Sequence, residues 1–189
     1  QDGYAAVGID LDPAMIAYAR AHYPEATFRV LNMTEIGRLK GPFDAGFCIG
    51  NTAAHLDRTA FEDFVAAMTA QLAPGGVWIL QVMNWDYVLT QETVTFPVIE
   101  SEGGAVFKRA YRDISEGSVT FATRLDVDEE VVFEASVPLT PIRSAEIAAI
   151  HAAEGFERVT HAGSYRGASF DPETFSANVF VFRRRADHE

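Results

Sequence analysis

The chain has 189 residues, 48% of them hydrophobic and 22% charged, enough apolar material for one globular domain with a real core. Its net charge of −12 repels phosphate backbones and argues against a nucleic-acid substrate. No apolar run approaches the roughly 20 residues that span a membrane. The opening residues do not read as a signal peptide. The only cysteine, Cys48, allows no disulfide within the sequence, so a reducing, cytoplasmic setting is expected.

The first predicted element is "AAVGID", a nearly continuous apolar run that reads as a strand buried on both faces and ends on an acid, Asp10. Asp12 and Pro13 then give a helix N-cap with proline at the first helical position. This helix runs to about Tyr23, where Pro24 stops it. "ATFRVL" is the second strand and "PFDAGFCIG" the third, ending at Gly50. After the loop "NTAAHL", Asp57 caps a helix whose apolar face is Phe61, Phe64, Val65, Met68 and Leu72, at helical spacing. "APGG" is expected to break the chain before a fourth buried strand, "VWILQVM". This order gives an α/β fold with a mainly parallel sheet.

From about residue 93 to 139 the pattern alternates with period two. Val119, Phe121, Leu125 and Val127 form one apolar set, and Val131, Phe133, Ala135 and Val137 the next. Turn signals separate them, so an inserted antiparallel β-meander with one wet face is expected. "SAEIAAIHAAEGF" is a helix with Ser144 as its cap and Gly155 as its stop. "ERVTHAGSY" and "ANVFVFRR" close as an antiparallel strand pair. The whole chain reads as one domain.

This order of pieces resembles the class I S-adenosylmethionine-dependent methyltransferases, with their Rossmann-like sheet. "GIDLDPAMIAYAR" is similar to that family's second strand and following helix, where a strand-tip acid binds both ribose hydroxyls of the cofactor. Asp10 stands at that place, and a carboxylate is suited to accept from a vicinal diol. "LNM" falls where the family flanks the adenine, with Asn32 in place of the usual Asp. The resemblance implies S-adenosylmethionine as cofactor, with Asp10, Leu11, Asn32, Met33, Ile49 and Gly50 around it. The loop "GNTAAHL" and the meander resemble the glycine and sarcosine N-methyltransferase branch and its small-molecule relatives. There an Asn in this loop helps to hold the acceptor, which implies the same for Asn51. That branch also carries an Arg just before an Asn-aromatic-Asp run. In "MNWDYVL" that place is taken by Met83, so the bidentate carboxylate clamp is lost there and an acceptor other than glycine is expected.

Trp85 and Tyr87 stand where the acceptor lid begins and are further candidates for acceptor contacts, since aromatic faces favour a cationic sulfonium or amine, with core or lid packing as the equal alternative; Tyr165, on the late strand end, is another candidate. His55 is either a structural hydrogen bonder or, with water as the alternative, the acceptor of the proton that an amine must lose. No histidine shows ligand spacing with cysteine or carboxylates, so no metal site is expected. The activity implied is methyl transfer to a small-molecule amine or hydroxyl, without nucleic acid or membrane as partner and with self-association open. The family's glycine-rich loop, with its strand, is not found, which points to an N-terminal truncation or to a strand supplied by another chain. The alternatives are a non-catalytic methyltransferase-like subunit, an inactive fragment or, with an acid at the same strand tip, a nicotinamide-dependent oxidoreductase.

Overall fold

The computed structural model describes residues 3–186. Strand β1 (Val7–Asp10) leads through Asp12 into helix α1 (Pro13–His22). The Asp12 carboxylate caps that helix by accepting from the Ala14 N–H at 2.7 Å, and Pro13 fills the first turn. Strand β2 (Thr27–Val30) pairs in parallel with β1. The Arg20 guanidinium donates to the Phe28 carbonyl and ties α1 to it.

Strand β3 (Phe43–Cys48), helix α2 (Arg58–Gln71) and strand β4 (Leu72–Met83) form the second unit. The capping carboxylate of Asp57 accepts from the Ala60 N–H. All five residues of the expected apolar face, from Phe61 to Leu72, are buried. The "APGG" stretch does not separate helix from strand as expected. Leu72 already pairs with Phe43, the chain bulges through Gly75 at φ +79°, and pairing resumes at Ala45 with Val77. A glycine at positive φ lets the strand absorb the extra residues without leaving the sheet.

Beyond the short helix α3 (Trp85–Val88) lies the meander: β5 (Val94–Thr95), β6 (Ile99–Glu100), β7 (Ala105–Arg112), β8 (Val119–Val127) and β9 (Glu130–Leu139). It is antiparallel throughout, in the order β5-β7-β8-β9 with β6 also on β7. Its apolar side is not fully covered. Val131, Phe133 and Val137 of the edge strand β9 are exposed, because the core backs the sheet only near Val119, Phe121 and Leu139.

Helix α4 (Ser144–Ala153) starts one residue earlier in its capping than expected. Arg143 is the cap and Ser144 the first helical residue, since the Glu146 carboxylate accepts from the Arg143 N–H. Gly155, at φ +83°, ends the helix as expected. Strands β10 (Phe156–Ala162) and β11 (Ala177–Arg184) pair antiparallel, and β11 lies against β4.

The α/β architecture is as expected, but its parallel sheet is not continuous. β1 and β2 form a two-stranded sheet, and β10-β11-β4-β3 form another. Among the described residues, no strand pairs with the free edge of β1 or of β3. Phe47, on β3 beside that edge, is 72% exposed. The core lies under β4, α2, α4 and the base of the meander, with Trp78, Trp85, Phe61, Phe180 and Phe182 fully buried. Ile9 and Met33 pack onto it and hold the β1–β2 unit to the rest.

Candidate active site

The residues after β1, β2, β3 and β4 are the carboxyl ends of strands in two parallel pairs, the place where α/β folds bind ligands. Asp10 is exposed at the end of β1. One of its carboxylate oxygens accepts from the Asp12 N–H at 2.8 Å. That bond fixes the side chain at the strand tip while lone pairs stay open to a ligand. Leu11, beside it, is exposed. Asn32 caps a 3₁₀ turn (Met33–Arg38), its amide oxygen accepting from the Thr34 N–H at 3.0 Å. The capping leaves one lone pair of that oxygen and both amide protons for a ligand.

The third tip is more constrained. Gly50 (φ +74°) and Asn51 (φ +62°) are both left-handed, a turn that glycine enters freely and asparagine tolerates. The Gly50 N–H donates to Gln81 Oε1 at 2.7 Å, and the Tyr165 hydroxyl donates to the same oxygen at 3.0 Å. Gln81 is buried in β4 and thus binds the tip of β3 to the late loop. Asn51 uses both ends of its amide. Its oxygen accepts from the Met83 N–H at 2.9 Å, and its nitrogen donates to the Tyr111 hydroxyl at 3.3 Å. It thereby fastens the loop to β4 and to the meander at once.

Above this loop lies a cavity of about 260 Å³. Gly50, Asn51, His55, Gln81 and Met83 form its floor, and Phe96, Arg109, Tyr111, Phe121 and Leu139 come from the meander side. The Phe96 and Tyr111 rings meet edge to face at 4.9 Å. Burial pushes the Tyr111 hydroxyl well above the usual phenol value, with Arg109 a smaller opposing influence, so it stays neutral. The same cause pushes the Cys48 thiol up to about 11, which leaves it protonated and a poor nucleophile.

Of the predicted site residues, Gly50, Asn51 and His55 line the cavity, and Tyr165 reaches its floor through Gln81. Asp10, Leu11, Asn32 and Met33 lie at or just beyond the ends of β1 and β2, and Ile49 directly follows β3 without lining the cavity. Trp85 is not a cavity residue: it is 1% exposed and packs behind Tyr111 at 5.4 Å, which makes it core. Tyr87 packs against Phe175 at 6.0 Å and does not line the cavity. Sequence reasoning missed Gln81, Phe96, Arg109, Tyr111 and Phe121 as lining residues. Gln81 carried a signal, a lone amide inside the apolar run "VWILQVM".

Residues 1–76 match a family model described as a methyltransferase domain. Solved structures match the fold over nearly all of the chain. An S-adenosylmethionine-dependent methyltransferase from Clostridium acetobutylicum superposes with a TM-score of 0.81 at 10% identity, over 97% of this chain and 76% of that one. The CcbJ methyltransferase from Streptomyces caelestis gives 0.81 at 19% identity, over 98% and 80%. This chain has the S-adenosylmethionine-dependent methyltransferase fold. The amino pentose methyltransferase CalS10 from Micromonospora echinaspora, solved with S-adenosylmethionine bound, shares the fold at a TM-score of 0.67 and 24% identity, over 95% and 74%. No protein with a curated description matches in sequence. In this methyltransferase fold, the meander forms one wall of the cavity at the strand ends, and the strand pair β10–β11 closes the sheet beside β4.

Proposed function

We propose that this chain transfers a methyl group from S-adenosylmethionine to a small-molecule amine or hydroxyl. The observation that carries the reading is the small cavity that opens at Gly50 and Asn51, at the ends of β3 and β4, within a methyltransferase fold. At about 260 Å³ it lies below the usual range for drug-sized ligands, which suits a small acceptor.

The residues present fit the cofactor. The exposed Asp10 carboxylate suits the ribose diol, Asn32 and Met33 suit the adenine, and Ile49 and Gly50 suit the part nearest the acceptor. S-adenosylmethionine supplies a methyl group that is already a good electrophile. The protein's work is then alignment and exclusion of water. Asn51 and the aromatic wall would hold the acceptor with its lone pair free to face the methyl group that S-adenosylmethionine would supply. His55, on the cavity floor, takes the proton that leaves the acceptor. The likeness of the loop and meander to the glycine and sarcosine N-methyltransferase branch supports a small amine, but Met83 stands where that branch has its clamp.

A second reading, a non-catalytic subunit or an inactive fragment, draws on the edges of β1 and β3 that pair with no strand among the described residues. Calorimetric titration with S-adenosylhomocysteine separates the two. Binding that Asp10→Ala weakens about tenfold or more supports the enzyme, since hydrogen bonds to a charged group are lost. No binding by the wild-type chain refutes the enzyme reading for this chain alone.

A further inference from the structure

We propose that the methyl acceptor carries a carboxylate and that Arg109 binds it. This rests on the reading of the cavity as the acceptor site. Arg109 projects from the same face of β7 as Tyr111, and both line the cavity. Its guanidinium lies over the Phe96 ring at 5.3 Å and the Phe107 ring at 5.8 Å. One of its terminal nitrogens donates to the Pro97 carbonyl at 3.2 Å. Among the described residues its buried Nε–H has no acceptor and no carboxylate pairs with it.

That is an unusual way to keep an arginine. Buried N–H groups are almost always satisfied, and a guanidinium presents a planar fork that matches a carboxylate. The neighbours deepen the contrast. Lys108 and Arg124, on the other face of the same two strands, both bond to Asp126. None of the residues lining the cavity is acidic, in a chain of net charge −12. The aromatic rings on which it lies hold the guanidinium plane in place for a charge-assisted bond. Sequence reasoning placed the loss of a carboxylate clamp at Met83. The meander brings a guanidinium to the same cavity from a different element. Such a group holds the acid end of an amino or hydroxy acid and leaves the nucleophilic atom free to face the methyl group. A guanidinium nearby also favours the neutral form of an amine, the form with a lone pair to share.

The test compares benzoate with its uncharged isostere benzamide, titrated into the chain saturated with S-adenosylhomocysteine. The expected result is benzoate bound at least tenfold tighter than benzamide, with the preference abolished in Arg109→Met and partly kept in Arg109→Lys. Equal binding of the two probes by the wild-type chain, or a preference unchanged in Arg109→Met, overturns the proposal. The wild-type pair needs no variant, so a failure of Arg109→Met to fold leaves the test decisive. Failure to bind S-adenosylhomocysteine in the first step counts against the methyltransferase reading instead, which separates the two failures.

Discussion

Replacing Asn51 with alanine probes the loop on which the site depends. Three costs add. Alanine at φ +62° is strained by about 1 kcal/mol where asparagine is tolerated. The Met83 N–H loses its acceptor at 2.9 Å, and because the cavity admits water the loss falls near the low end, about 1 kcal/mol. The longer bond to Tyr111, at 3.3 Å, adds roughly 0.5 kcal/mol. The sum is about 2–3 kcal/mol, or roughly 4–12 °C in Tm for a chain of this size. Asn51→Asp keeps both the left-handed tolerance and the acceptor for Met83, so it costs under about 1 kcal/mol. Urea denaturation followed by circular dichroism measures both variants. An Asn51→Ala protein within 0.5 kcal/mol of wild type, or an Asp variant as damaged as the Ala one, would show that the loop is held by something else (the threshold is about the error of the method).

Two further predictions concern the core. His151 is buried, its Nε2 accepts from the Trp78 indole N–H at 3.1 Å, and its ring stacks on Phe182 at 4.0 Å. Burial lowers its pKa from 6.5 to about 4, with the Ile147 carbonyl opposing weakly. Below pH 6.5 the unfolded chain takes up a proton that the folded one refuses, so stability falls as pH drops from 6.5 to about 4, by roughly 3 kcal/mol. Denaturation across that range should show the slope in wild type, with His151's share missing in His151→Phe; identical slopes would refute it. Phe61 of α2 is 1% exposed and lies against the His151 ring at 6.0 Å. Phe61→Ala should cost about 3–5 kcal/mol by the same method, and a loss under 1 kcal/mol would contradict the packing described.

Much of this was readable because it rests on local rules. Asp12 with Pro13, and Asp57 before a run at helical spacing, fix where α1 and α2 begin. Gly155 fixes where α4 ends. The cavity wall was less readable. Alternation puts Phe107, Arg109 and Tyr111 on one face of β7, but does not say that this face meets the ends of β3 and β4. That depends on how the whole meander folds back over the Asn51 loop. Trp85 stays open between pocket and core for the opposite reason, since an aromatic residue next to a site looks the same in sequence whether it lines the cavity or supports Tyr111 from behind. The "APGG" stretch reads as a break, yet a bulge at Gly75 uses the same residues to keep the strand going.

The most direct test of the account is a map of backbone amide chemical shifts on addition of S-adenosylhomocysteine. The largest changes are expected at Asp10 and Leu11, at Asn32 and Met33, and at Ile49 through Asn51, with α4 and β10 unmoved. Changes centred elsewhere, or none at saturating ligand, would contradict the placement of the cofactor at the strand ends and the function built on it.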